Sequence, residues 1–181
     1  VHWLRDGTPL SGNPTINVSI TFTDPDPGDT HTATINWGDG NTGPFTTSPI
    51  NASHTYPNDD GVYTVTVTVT DNNNESDQKS FTVTVTNVAP TVNAGSDATI
   101  NEGSTFTQSG SFTDPGADTW TATVDYGDST GTQPLTLTGK TFSLSHTYTD
   151  NGSYTVTVTV TDDDGGSGSD TLTVTVNNVA P

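Results

Sequence analysis

The sequence predicts an all-β chain built as two tandem antiparallel β-sandwiches, about seven strands each, arranged end to end. Three observations predict it. The stretch Gly61-Val62-Tyr63-Thr64-Val65-Thr66-Val67-Thr68-Val69-Thr70-Asp71 alternates apolar and polar side chains without a break. That is the period of a half-buried strand, in which Tyr63, Val65, Val67 and Val69 share one face and the threonines the other. The stretch returns as Gly152 through Asp162, 91 residues further on. Shorter alternating runs, punctuated by Gly, Pro, Asn and Asp, fill the rest.

Taken in order, the first repeat offers strands at Val1–Arg5, Ile16–Thr23, Thr32–Trp37, Phe45–Thr47, Ile50–His54, Val62–Thr70 and Ser80–Thr86. The second offers Phe106–Phe112, Thr121–Tyr126, Leu135–Leu137, Phe142–Ser145, Ser153–Thr161 and Thr171–Val176. Ile35 with Trp37, and Val124 with Tyr126, are the expected inner residues of the third main strand. Each fully buried Val or Leu contributes roughly 1.5–3 kcal/mol, so a unit of this size folds without cross-links.

The repeat is read from anchors. Asn87-Val88-Ala89-Pro90 recurs as Asn178-Val179-Ala180-Pro181, and His54-Thr55-Tyr56 as His146-Thr147-Tyr148. Phe22-Thr23-Asp24-Pro25 recurs as Phe112-Thr113-Asp114-Pro115. The expected domains are therefore residues 1–90 and 91–181. The chain starts and stops on its own repeat boundary, as a segment of a longer tandem array or a subunit of a polymer would. The proline of the joint fixes φ and biases the preceding residue to extended geometry, which makes a stiffer link than a Gly/Ser tether.

Composition narrows the function. Of 181 residues, 21 are Asp or Glu and three Lys or Arg, for a net charge of −18, and Cys is absent. Phosphate would be repelled, which speaks against nucleic acid, and anionic lipid is disfavoured for the same reason. No run reaches the roughly 18 apolar residues of a membrane span, so no membrane insertion is expected. Core packing has no disulfide to assist it.

Trp37-Gly38-Asp39-Gly40, His54-Thr55-Tyr56 and Gly61 through Asp71, with Tyr126-Gly127-Asp128, His146-Thr147-Tyr148 and Gly152 through Asp162, resemble the PKD (polycystic-kidney-disease-type) domain. The resemblance covers most of both repeats. It implies an immunoglobulin-like β-sandwich, extracellular or cell-surface residence, and no catalytic residues. Two departures stand out: Ile35 and Val124 occupy a position that is often aromatic in the family, and Ser129 replaces the second turn glycine. In that topology Tyr63 sits where a tyrosine corner belongs.

Candidate chemistry lies in the acidic loops. An immunoglobulin-like topology brings the loop after the second strand and the loop between the last two strands to one pole. These carry Asp24, Asp26, Asp29, Asp71, Glu75 and Asp77 in the first repeat. In the second they carry Asp114, Asp118, Asp162, Asp163, Asp164 and Asp170. Clustered carboxylates invite a hard cation, and Ca²⁺ accepts six to eight oxygens in flexible geometry. Asp59, Asp60 and the Asp39 turn lie at the far end of the first repeat, so a Ca²⁺ site at the joint is one expectation. Turns use the same residue types without any ion, and both readings stay open.

Other motifs carry less. Gly127-Asp128-Ser129-Thr130-Gly131 has the spacing of a nucleophile elbow, but that motif needs a strand entering a helix. Gly165 through Thr173 matches a calcium nonapeptide once, where a β-roll needs stacked copies. His54 and His146 recur one per repeat, as structural hydrogen-bonding residues do. Asn17, Asn51, Asn74 and Asn151 head N-x-Ser/Thr sequons and are candidate glycosylation sites.

The expected function is a non-enzymatic structural module of an extracellular filament, stalk or surface layer. It would work by end-to-end stacking of repeats and be stiffened by calcium. Its partners would be copies of itself or neighbouring repeats, with extracellular matrix or glycan as further partners. The alternative is an adhesin or a substrate-binding accessory module of a secreted hydrolase, for which Trp3 and Trp120 are the candidate contact residues.

Overall fold

The computed structural model describes residues 10–25, 28–46, 48–57 and 60–180. The strand expected at Val1–Arg5, together with Trp3, Asp26 and Asp59, lies outside them. The chain divides into two compact units, Val1–Asn87 and Val88–Pro181, so residues 88–90 of the joint group with the second.

In unit 1 the strands are β1 (Leu10–Ser11), β2 (Thr15–Ile20), β3 (His31–Asn36), β4 (Thr42–Phe45), β5 (Ile50–Thr55), β6 (Gly61–Asp71) and β7 (Ser76–Thr86). They form a five-stranded sheet in the order β1-β7-β6-β3-β4 and a two-stranded sheet β2-β5. Among the described residues of this unit, β1 alone runs parallel to its neighbour, β7. The alternation in β6 does what the sequence requires of it. Val65 and Val67 are fully buried, and they pack with Ile20, Ile35, Ile50 and Val83 between the sheets.

Unit 2 comprises β8 (Thr91–Asn93), β9 (Ala98–Asn101), β10 (Thr105–Thr113), β11 (Trp120–Asp125), β12 (Gln133–Pro134), β13 (Leu137–Thr138), β14 (Thr141–Thr147), β15 (Gly152–Asp162) and β16 (Ser167–Asn177). Its sheets are β12-β11-β15-β16-β9 and β13-β14-β10-β8. Phe106, Leu144, Val156, Val158 and Val174 fill the space between them. Among the described residues neither unit contains a helix, and both are immunoglobulin-like sandwiches.

The sequence missed the short strands. Leu10–Ser11, Thr91–Asn93 and Ala98–Asn101 carry too few alternations to register, and the expected Leu135–Leu137 strand is split around Leu135. The expected Phe45–Thr47 strand lies earlier, at Thr42–Phe45. Two expected loops are also shorter than their composition suggests. Strand β7 resumes at Ser76 and β16 at Ser167, four to five residues ahead of the apolar pattern. The full length of β6 and β15 offers N–H and C=O groups, and leaving these unpaired is costly, so polar residues are drawn into the ladder against their propensity.

The tyrosine corner is present twice. Tyr63 Oη donates to the Asp60 carbonyl at 2.9 Å, and Tyr154 Oη to the Asp150 carbonyl at 3.0 Å. Ile35, Trp37, Val124 and Tyr126 are all buried, as their spacing requires.

Candidate functional site

The motif residues build a column of rings in each unit. Trp37 stacks on His54 with centroids 4.8 Å apart, His54 meets Tyr56 edge-on at 4.8 Å, and Tyr56 stacks on Tyr63 at 4.3 Å. Tyr126, His146, Tyr148 and Tyr154 repeat the arrangement at 4.2, 4.8 and 4.3 Å. Each column is pinned at both ends of its polar edge. Tyr56 and Tyr148 donate to the carbonyls of Trp37 and Tyr126 at 2.9 Å. His54 Nε2 lies 2.7 Å from Asp39 Oδ2, and His146 Nε2 lies 2.7 Å from Asp128 Oδ2. The histidines are therefore structural hydrogen-bonding groups, and the carboxylate of the Gly-Asp turn is their partner.

Burial raises the Asp39 carboxyl, but donation from Asn41 and the contact with His54 outweigh it and hold it below the ordinary range. Asp128 behaves alike: burial raises it, while Thr130 and His146 bring it lower overall. A carboxyl lower in the folded than in the unfolded state stabilises above the unfolded value and loses that contribution as pH falls through the folded one. The ordinary value is 3.8, so the loss falls below about pH 4. Asp128→Asn should flatten that acid limb of the unit 2 melting temperature relative to the parent. An unchanged limb in Asp128→Asn would remove the pair from the account.

The acidic pole forms as the topology requires, with only part of the expected set. In unit 1 the β2–β3 loop and the β6–β7 turn bring one carboxylate oxygen each of Asp24, Asp29 and Asp71 within 4.8 Å of one another. The turn is set by Asp71, whose Oδ1 accepts the N–H groups of Asn73 at 2.7 Å and Glu75 at 2.9 Å. His31 Nε2 lies 2.8 Å from Asp24 Oδ2. An open cleft of about 280 Å³, floored by Phe22 and Val69, adds Glu75 and Asp77 to its lining. Unit 2 gathers Asp118, Asp163 and Asp164 in the same way.

The remaining expected ligands stand outside these groups of three. Asp114 is buried, with Trp120 Nε1 donating to Oδ2 at 3.0 Å and the Gly116 N–H to Oδ1 at 3.2 Å. Asp162 is buried under the hairpin turn, where Oδ1 accepts the Gly166 N–H at 2.6 Å. Asp170 lies within β16, and its Oδ2 accepts the Ala94 N–H at 2.8 Å. Asp77 lies within β7. All four sequon asparagines are exposed, Asn17 and Asn51 on strands and Asn74 and Asn151 in turns.

Two features escaped the sequence. Asn72 Oδ1 accepts the Thr30 N–H at 2.9 Å and Asp163 Oδ1 the Thr119 N–H at 2.9 Å, tying the two loops of each pole together. Lys140 Nζ sits 4.6 Å from the Trp120 ring and donates to the Asp114 carbonyl at 2.6 Å. None of these contacts shows a local sequence signal, because each joins residues twenty or more positions apart.

The three grouped carboxylates of each pole come from two loops and offer oxygen donors, which suit a hard cation such as Ca²⁺, while in unit 1 the His31 imidazole engages one Asp24 oxygen. Like charges this close cost each other on the order of 1 kcal/mol in water and more where solvent is excluded, and a divalent ion would reverse that sign. The turn of unit 1 uses one oxygen of Asp71, and a carboxylate has two.

Comparison with known proteins agrees with this architecture. Residues 6–85 and 87–176 each match the family model of the PKD domain. No curated protein matches the chain. Among solved structures it is similar to a tetra-tandem repeat from the extending region of a large adhesion protein, with 25% identity over 94% of this chain and a TM-score of 0.51. The chain spans about half of that structure, 47% of its length. It also resembles the PKD domain of an M14-like peptidase from a Thermoplasmatales archaeon, at 27% identity over 49% of this chain and 92% of that one, with a TM-score of 0.41.

Proposed function

The chain belongs to the PKD domain family, with two copies of the domain in tandem, and on that premise we propose that it is a structural repeat module of an extracellular filament, stalk or surface layer. PKD domains are in general non-catalytic modules. The observation that carries the reading is the tandem repetition itself, with its likeness to repeats of the extending region of an adhesion protein. A unit with its own closed core can be added to a chain without disturbing its neighbours. The same likeness supports residence outside the cell or at its surface; no helix among the described residues is long and apolar enough to cross a membrane.

Calcium is the proposed cofactor of the poles, held by Asp24, Asp29 and Asp71 in unit 1 and by Asp118, Asp163 and Asp164 in unit 2. Extracellular modules bind it at roughly 0.1–1 mM, and an ion there would clamp the two loops of each pole. The proposed partners are neighbouring repeats and copies of the chain. The second reading, an adhesin or an accessory module of a secreted hydrolase, draws on the same likeness to an adhesion protein, but Trp120 does not favour it. Its indole is only partly exposed, packed on Phe112 and under Lys140.

Electron microscopy of the native protein, in Ca²⁺ and in chelator, tests both parts. Fibres or rods that bend more freely in chelator are expected. Fibres indifferent to chelator would remove calcium alone, and discrete single particles in both conditions would overturn the structural role.

A further inference from the structure

The joint is seated on unit 2 by two residues of β16. Opposite Val160 in the ladder stands Gly168, and opposite Val158 stands Asp170, so both belong to the inward-facing row of the strand. The chain enters unit 2 across that row. Pro90 is buried, and its carbonyl oxygen lies where a Cβ on residue 168 would be, with the carbonyl carbon 2.9 Å and Val92 Cγ2 3.6 Å from that position. Four residues on, Ala94 is fully buried and its N–H donates to Asp170 Oδ2 at 2.8 Å. Between these two contacts Thr91–Asn93 pairs with β10.

Unit 1 differs at both places. In its ladder Asp77 stands opposite Val69 and Lys79 opposite Val67, the same two register positions, and both side chains are exposed. An aspartate cannot leave room for a crossing carbonyl, and a lysine cannot accept an N–H. We infer that Gly168 and Asp170 form a seat for an extended Val-Ala-Pro joint. The seat receives the Pro90 carbonyl against bare Cα and the Ala94 amide, four residues on, at a carboxylate, and it is present in unit 2 and replaced in unit 1. The two repeats are then not interchangeable in order: unit 2 is built to follow such a joint, and unit 1 presents a different surface to whatever precedes it. The seat rests on backbone contacts within unit 2 and stands whether the chain is a load-bearing repeat or an adhesin.

Amide hydrogen exchange on the full chain tests it. Gly168→Asp, the residue of unit 1, should speed exchange at Ala94 by at least about tenfold, as expected for losing a hydrogen bond to a charged acceptor. The amides of Val158 and Val174 should keep their protection. Asp170→Lys removes only the acceptor and should act in the same direction at Ala94, which keeps the test decisive if Gly168→Asp does not fold. Exchange at Ala94 within twofold of the parent in Asp170→Lys, or loss of protection at Val158 and Val174 alongside it, would overturn the seat. Neither outcome depends on whether fibres form.

Discussion

Tyr148→Ala should lower the stability of unit 2 by about 3–5 kcal/mol. A small domain has only roughly 5–15 kcal/mol in hand, so unit 2 should melt far below unit 1. The size follows from position. Tyr148 is 1% exposed, stands between His146 and Tyr154 in the ring column, and donates to the Tyr126 carbonyl at 2.9 Å. Truncation removes the ring from the middle of the stack and leaves that carbonyl without its donor. Burial, and then the negative charge of Asp128, push the Tyr148 hydroxyl well above its ordinary value, so it remains a donor across the neutral and alkaline range. Tyr148→Phe keeps the ring and loses the donor, and should cost about 1–3 kcal/mol. Scanning calorimetry reads both as a shift of one transition. A loss under about 1 kcal/mol for Tyr148→Ala would mean that the column is not part of the core.

Gly127→Ala should come next, at roughly 2–5 kcal/mol. Gly127 has φ +74°, where an L side chain costs about 1–2 kcal/mol. A Cβ would also lie 2.5 Å from the Thr155 carbonyl oxygen and 3.0 Å from its nitrogen. Overpacking of this kind adds roughly 1–3 kcal/mol. Gly131 supplies the control, since its φ is +80° with nothing within 4 Å of its Cβ position. Gly131→Ala should therefore cost only the backbone part. The repeats already contain the same contrast. A Cβ on Gly38 of unit 1 would lie 2.8 Å from the Thr64 backbone, while one on Gly40 would meet nothing within 4 Å. Unit 2 has Ser129 where unit 1 has Gly40, and Ser129 keeps a φ of +70°. Equal losses at Gly127 and Gly131 would show that the close approach to β15 is not felt.

That departure at Ser129, together with Ile35 and Val124 in place of an aromatic, left the sandwich unchanged. Ser129 is at an open turn, and Ile35 and Val124 still fill buried positions. The strands with long alternation were legible for the same reason: β6 and β15 state their buried face residue by residue. Legibility ended at the polar halves of β7 and β16, where Ser76 through Lys79 and Ser167 through Asp170 pair because their partner strands continue, not because of their own composition. Of the acidic residues singled out, sequence position could not separate Asp71, at the pole, from its counterpart Asp162, buried under a turn.

By itself, then, the sequence determined the repeat, the strand faces, the ring motif and the sign of the surface charge, since each is a local pattern that the backbone period turns into geometry. Which carboxylates meet was decided by tertiary structure, as was the binding of Asp39 and Asp128 to histidines and of Gly168 to a crossing chain. Those contacts join residues on different strands, and their distances are set by strand order and register, to which no short window of sequence has access.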